Sequence, residues 1–197
     1  MKKMNPRTRT TLIAIVVLLF GAICLALAQE APEKKKMNPP TEAEVQAAKD
    51  AGTVKATFKT AKGEMVIELY GKEAPLTVAN FVKLVNAKFY DGLTFHRVED
   101  SPEFSLLQGG DPNGNGTGGP GYSIKLEINP KLRHVKGALA MARSQNPDSA
   151  GCQFYICRVA IHQLDDNYAV FGKVIKGLDV ADNIKVGDKI EKIEITK

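Results

Sequence analysis

The chain has 197 residues, 44% hydrophobic and 25% charged, which suits one compact domain with extensions and leaves too little for two separate cores. Of its net charge of +5, four charges come from Lys2, Lys3, Arg7 and Arg9; the remainder of the chain sets 23 basic against 22 acidic residues. A basic footprint able to grip phosphates is therefore excluded, and no nucleic-acid partner is expected.

The first 28 residues read as an export segment. Four cations without an acid precede an apolar run from Leu12 to Ala28, and Ala26-Leu27-Ala28 forms an A-x-A cleavage pattern before Gln29. A run of about seventeen apolar residues sits at the lower limit for crossing a bilayer, so two readings stand. Residues 1–28 are a cleaved signal peptide, or a signal anchor that attaches the chain to a membrane through residues 12–28. Both place the rest of the chain outside the cytoplasm, in a periplasmic or other extracytoplasmic space. The bulky Ile23 argues against lipidation at Cys24.

Residues 29–52 are expected to form a flexible, charged and proline-rich tether. Pro39-Pro40 interrupts regular structure, and Thr41 with Glu44 suggests a capping box for a short helix through Lys49, read as a solvated spacer. A single domain then spans residues 53–197. Val54, Ala56 and Phe58 alternate with polar neighbours, a Lys62-Gly63 turn follows, and Met65 to Leu69 completes a hairpin. Pro75 opens a helix whose Val78, Phe81, Val82 and Val85 recur at helical spacing, ending across Lys88 to Asp91. Short strands are expected at Leu93–Val98, Ser105–Gln108, Ala138–Ala142, Gln153–Cys157 and Ala169–Val174. A second helix follows at Leu178–Asn183, then a closing strand at Ile190–Thr196. Many short strands with two helices imply a mainly β fold: a closed antiparallel barrel capped at its ends.

Outside the export segment the chain has two cysteines, Cys152 and Cys157. Five steps along a strand separate them by roughly 16 Å and turn them to opposite faces, so they are read as packed thiols and not as a disulfide. His96, His134 and His162 show no metal-ligand spacing, and no metal is expected. Gly114, Gly116 and Gly119 satisfy a GxGxxG pattern, but Pro120-Gly121 and a strand-like Tyr122, Ile124, Leu126 follow where a dinucleotide site needs a helix. These glycines are read as positive-φ turns beside a groove, and no cofactor is expected.

Four strings carry the functional signal: Phe95-His96-Arg97-Val98, Gln108-Gly109-Gly110-Asp111, Gln153-Phe154-Tyr155-Ile156-Cys157 and Phe171-Gly172-Lys173-Val174. With the glycine-rich stretch Asn113 to Gly121 between the second and third, they resemble the cyclophilin family of peptidyl-prolyl cis/trans isomerases, from roughly Thr53 to Lys197. The resemblance implies an eight-stranded closed barrel and a monomeric isomerase of X–Pro bonds. Its partners would be proline-containing polypeptides of the extracytoplasmic space, and its chemistry needs no cofactor.

Residue by residue, the resemblance implies that Arg97 is the catalytic arginine and Gln108 the glutamine that bonds both the arginine and a substrate carbonyl. A guanidinium suits the task as a permanently charged donor to the prolyl nitrogen when conjugation is broken. The proline pocket would comprise Phe104, Leu106, Tyr155, Leu164 and Tyr168, with Gln153, Ala142 and Arg143 completing the substrate surface. At Arg143 and Ser144 the contact is expected through main chain. Strand alternation puts Gln153, Tyr155 and Cys157 on one face, with Phe154 and Ile156 in the core. His96 is read as a structural residue that hydrogen-bonds within the barrel, since the reaction removes no proton.

The chain also departs from the family pattern. Glu99-Asp100-Ser101-Pro102-Glu103 adds about three residues between Arg97 and Gln108, and Ser105 stands where a phenylalanine is expected, with Phe104 one position early. Either a bulge re-aims Phe104 into the pocket or that wall is thinner and the activity lower. The second possibility motivates a rival reading, a proline-peptide-binding or chaperone module with weak turnover.

Overall fold

The computed structural model describes residues 37–196. Residues 1–28, read as an export segment with Cys24 within it, and residues 29–36 of the expected tether lie outside the described residues. The elements in chain order are α1 (Glu42–Ala51), β1 (Thr53–Thr60), β2 (Gly63–Tyr70), α2 (Pro75–Asn86), β3 (Phe95–Asp100) and β4 (Ser105–Gly109). After a long glycine-rich connection come β5 (Ala138–Met141), β6 (Phe154–Cys157), β7 (Val170–Lys176), α3 (Leu178–Asn183) and β8 (Ile190–Thr196). Every ladder is antiparallel, and the strands lie in the order β3-β4-β6-β5-β7-β2-β1-β8.

The two-residue period of the sequence builds the sheet as expected. Ala56 pairs with Ile67 and Phe58 with Met65, so the apolar members of β1 and β2 fall on one buried face. Helix α2 starts at Pro75, whose missing N–H belongs to a turn with no intrahelical acceptor. The next donors in that turn are satisfied from afar: the Glu127 carboxylate accepts from Leu76 N at 3.1 Å and from Thr77 N at 2.8 Å. Its negative charge also suits the positive end of the helix dipole.

Phe81 of α2 is the hub of the core, with ring centroids 5.2 to 5.9 Å from Tyr90, Phe171, Phe154 and Phe58. All five rings are fully buried. Removing one such ring typically costs about 3 to 5 kcal/mol. A second, smaller apolar cluster lies on the other face of β4–β6–β5 and contains Leu106, Tyr155, Cys157 and Val170.

Two expectations need correction. The sheet is curled but not a closed barrel: β3 and β8 are its two edges, meeting at the bridge between Thr94 and Lys189. Phe95 N donates to Asp188 O and Gly187 N to Phe95 O beside that bridge, and then the strands part. A register shift in β3 between Phe95 and Arg97 falls where they part, and a bulge of this kind bends the strand that carries it.

Among the described residues there are three helices, the two expected of the domain and the short one expected through Lys49, but that one, α1, does not stand away as a spacer. Its capping box forms as read, with Thr41 N donating to Glu44 Oε2 at 2.7 Å and Glu44 N to Thr41 Oγ1 at 3.3 Å. The same Glu44 carboxylate meets Lys83 Nζ of α2 at 2.9 Å, and Met37 and Ala48 pack against the core cluster.

Cys152 and Cys157 are free, buried thiols, as expected, and burial pushes both up to about 12. Among the described residues no group of side chains could hold a metal ion, and no helix is long and apolar enough to cross a membrane.

Gly71 shows how tightly α1 is docked. Its N–H bonds Gly52 O at 2.7 Å, and a Cβ added to it would lie 2.2 Å from Ala48 O and 2.7 Å from Gly52 O. Gly71→Ala is therefore expected to destabilise the protein by about 1 to 3 kcal/mol, read as a lower midpoint in urea unfolding. A helix free in solvent would leave that midpoint unchanged.

Candidate active site

Regular alternation would put Phe95 and Arg97 on the same face of β3. They are on opposite faces because Phe95 pairs with Gly109 while Arg97 pairs with Gln108, so two residues of β3 span one of β4. Phe95 enters the aromatic core, 6.4 Å from Phe154, and Arg97 emerges half-exposed at the rim of a cleft. The bulge residue is His96.

Arg97 is held from two sides. Its Nε donates to Glu99 Oε1 at 2.9 Å, and its Nη1 donates to Gln108 Oε1 at 3.2 Å. Gln108 Nε2 passes the contact to Gln153 Oε1 at 2.9 Å, and Gln153 Nε2 donates to Gly116 O and Gly118 O, each at 3.0 Å. The glycine-rich loop that supplies these carbonyls is wound around Asp111. That carboxylate accepts from Asn113 N at 2.9 Å, from Asn115 N at 2.8 Å and from Gly116 N at 2.5 Å. Burial raises the Asp111 carboxyl, but those backbone donors outweigh it and leave the net shift downward. Gly114 and Gly116 have positive φ as read, whereas Gly119 does not.

Beside the arginine lies a cleft of about 150 Å³ lined by Arg97, Phe104, Leu106, Gln108, Ala142, Arg143, Tyr155, Leu164 and Tyr168. Every candidate substrate residue is among them except Gln153. That residue lines an adjoining cavity of about 300 Å³ together with Gly116 to Pro120, Tyr122, Ser144 and Ser149. Gln108, Ala142 and Arg143 are common to both.

The added residues continue the β3–β4 hairpin: Glu99 pairs with Leu106 and Asp100 with Ser105. Phe104 lies in the turn, with no bulge in β4 at that point. Ser101 holds it there, accepting from Phe104 N at 3.1 Å and donating to Phe104 O at 2.9 Å, and its ring lines the cleft. Of the two alternatives, the wall is therefore filled, though by a turn residue and not by a bulged strand.

Residues 55–197 match the family described as cyclophilin type peptidyl-prolyl cis-trans isomerase/CLD. The chain belongs to the cyclophilin family. It is 44% identical over 161 residues to a peptidyl-prolyl cis-trans isomerase of Helicobacter pylori, covering 80% of this chain and 96% of that protein. It is 50% identical over 130 residues to peptidyl-prolyl cis-trans isomerase B of Bacillus subtilis, covering 65% and 87%. A crystal structure of a Cryptosporidium parvum cyclophilin-type isomerase in the presence of the dipeptide Ala-Pro superimposes with a TM-score of 0.66 at 29% identity. It covers 73% of this chain and 99% of that one. The chain is thus a peptidyl-prolyl cis-trans isomerase.

One site expectation for this cyclophilin needs revision. His96 makes no hydrogen bond within the sheet. Both its ring nitrogens are buried without a hydrogen-bond partner. Burial lowers its pKa, with Asp111 partly opposing that and Gln153 and the Thr94 backbone beside the ring. A neutral ring tolerates this position better than a charged one. Arg143, where main-chain contact is expected, also lines the cleft. The Ala142 and Ser144 N–H groups are already given to Gln153 O and Ser149 Oγ, each at 2.9 Å.

Three residues that the sequence reading passed over also shape the site. Glu99 was visible in principle, two positions after Arg97 on the same strand face. His134 and Asp165 left no sequence signal, being far from the motifs. His134 Nδ1 meets Asp165 Oδ1 at 2.8 Å and its Nε2 meets Tyr155 Oη at 2.9 Å, with the His134 and Tyr155 rings stacked at 5.9 Å. A carboxylate accepts only, so Nδ1 carries the proton and the Tyr155 hydroxyl donates to Nε2. This fixes one edge of the cleft's aromatic floor.

Asp165 is raised by burial but lowered further by donors: His134 N at 2.7 Å, the His134 ring and His162 Nδ1 at 2.9 Å bring it to about 2, against an ordinary 3.8. A depressed carboxylate stabilises the fold fully above its unfolded pKa and loses that contribution as pH falls through its folded pKa. Asp165→Asn should thus be less stable than the native protein above about pH 4. The gap should close as pH approaches 2, as followed by denaturant unfolding across a pH series.

Proposed function

We propose that the two adjoining cavities seat an X–Pro segment, with the proline ring among Phe104, Leu106, Tyr155 and Leu164, while Arg97 stabilises the half-rotated bond. Rotation of a peptide bond is opposed by about 18 to 20 kcal/mol, whereas the two X–Pro isomers differ by only about 0.5 to 1 kcal/mol. A catalyst therefore needs to favour only the twisted state. In that state the prolyl nitrogen regains a lone pair.

The guanidinium has five N–H donors, one engaged by Glu99 and one by Gln108, which leaves three for other acceptors, a bound peptide among them. Gln108 spends one N–H on Gln153 and keeps the other for the swinging carbonyl. Differential stabilisation of the twisted amide requires no covalent intermediate. The observation that carries this reading is that Arg97, Gln108 and the apolar ring line one cleft.

The substrates would be extracytoplasmic polypeptides, on the strength of the cationic start and apolar run of residues 1–28, with residues 29–52 linking that segment to the isomerase domain at 53–197. N-terminal sequencing of exported protein would test this: a start at Gln29 supports a cleaved signal, and an intact Met1 in the membrane fraction supports an anchor. Protein retained entirely in the cytoplasm would refute both.

Arg97→Ala should lower kcat/KM on a proline peptide by about 100-fold, the size expected for losing one preorganised transition-state donor. NMR exchange spectroscopy on an X–Pro peptide measures it directly. Equal rates for the two proteins would remove Arg97 from catalysis, and saturable binding without acceleration by the native protein would favour the binding-module reading.

A further inference from the structure

Arg143 stands where the two cavities meet, lining one with Leu164 and Tyr168 and the other with Thr117 and Ser144. Its guanidinium carbon lies 4.6 Å from the centre of the Tyr168 ring. Nε and Nη2 donate to Asn167 O at 3.0 and 2.9 Å, and Nη1 donates to Ser144 O at 2.8 Å and Gln145 O at 3.3 Å. All these acceptors are neutral carbonyls. Among the described residues Arg143 forms no ion pair, and no Asp or Glu lines either cavity.

The neighbouring charges are otherwise matched. Arg97 pairs with Glu99, Asp165 is engaged by His134 and His162, and Asp166 pairs with Arg133 at 2.8 Å. Glu103 is exposed at the tip of the β3–β4 turn and lines neither cavity. A bound peptide therefore meets one uncompensated positive charge, held in place by its stack and its carbonyls.

We infer that Arg143 is a specificity-determining residue that favours acidic substrates, X–Pro segments with Asp or Glu next to the proline pair. The inference rests on reading the cleft as the X–Pro site. A guanidinium already fixed in orientation loses little freedom when a carboxylate arrives, and its one remaining Nη2–H can meet it. The attraction acts alike on ground and twisted states, so it belongs in KM and not in kcat. For a partly exposed pair the expected effect is roughly twofold to fivefold.

The test uses acetylated, amidated peptides with Glu, Gln or Lys immediately before proline and, in a second series, immediately after it. NMR exchange gives kcat and KM at low and high salt for the native protein, Arg143→Gln and Arg143→Lys. The expected result, in at least one series, is kcat/KM falling from Glu to Gln to Lys through KM, compressed by salt. That order should be abolished in Arg143→Gln and kept in Arg143→Lys.

No charge order in either series, or an order that survives Arg143→Gln, overturns the inference. Should Arg143→Gln fail to fold, the salt dependence of the native protein and the Lys variant still decide it. If the native protein leaves even the neutral Gln peptides unaccelerated, the isomerase reading of the cleft itself fails. Acceleration without charge preference sinks only the role of Arg143.

Discussion

The chemistry of the site depends on the direction of one hydrogen-bond chain. Arginine can only donate and a peptide carbonyl can only accept, so the two glutamines between Arg97 and the loop carbonyls of Gly116 and Gly118 have their amide orientations fixed from both ends. Gln108 must turn its oxygen to the guanidinium and its nitrogen to Gln153, and Gln153 must repeat the arrangement. Flipping either amide would set donor against donor. The strand that carries the cation and the loop that walls the second cavity are thereby tied together, although residues 97 and 116 share no ladder.

Asp111 stands behind that chain. A loop with so many glycines would have a large conformational entropy to lose, and its backbone carbonyls would be poor fixed points without an internal anchor. The carboxylate collects three backbone N–H groups of the loop, and Gly118 is needed because a Cβ there would fall 2.0 Å from Asp111 Oδ1. Gly118 thus serves close approach of backbone to a side chain within the protein, while Gly114 and Gly116 supply the positive φ that the turns need.

Much of this was legible in the sequence. The two-residue period located all eight strands to within about two residues, the typical uncertainty of strand ends, and the alternation of Gln153 to Cys157 correctly separated core from cleft. The resemblance to the cyclophilin motifs supplied the cleft residues, and the structure brings them together. Three things were not legible. The bulge at His96 is a register property of two strands, and nothing in Phe95-His96-Arg97 announces that its first and third members part. The docking of α1 depends on Lys83 and Gly71, which lie well away from it along the chain. The Asp165–His134–Tyr155 contact joins three residues that no motif connects.

The open seam also has a meaning for how this protein can change. Because β3 is an outer strand, the hairpin it makes with β4 is anchored along one flank only. Such a hairpin can be extended by whole rungs while every ladder closer to the middle keeps its partners. The lip over the cleft is therefore a module whose reach can change with the cation and its glutamine untouched at the root.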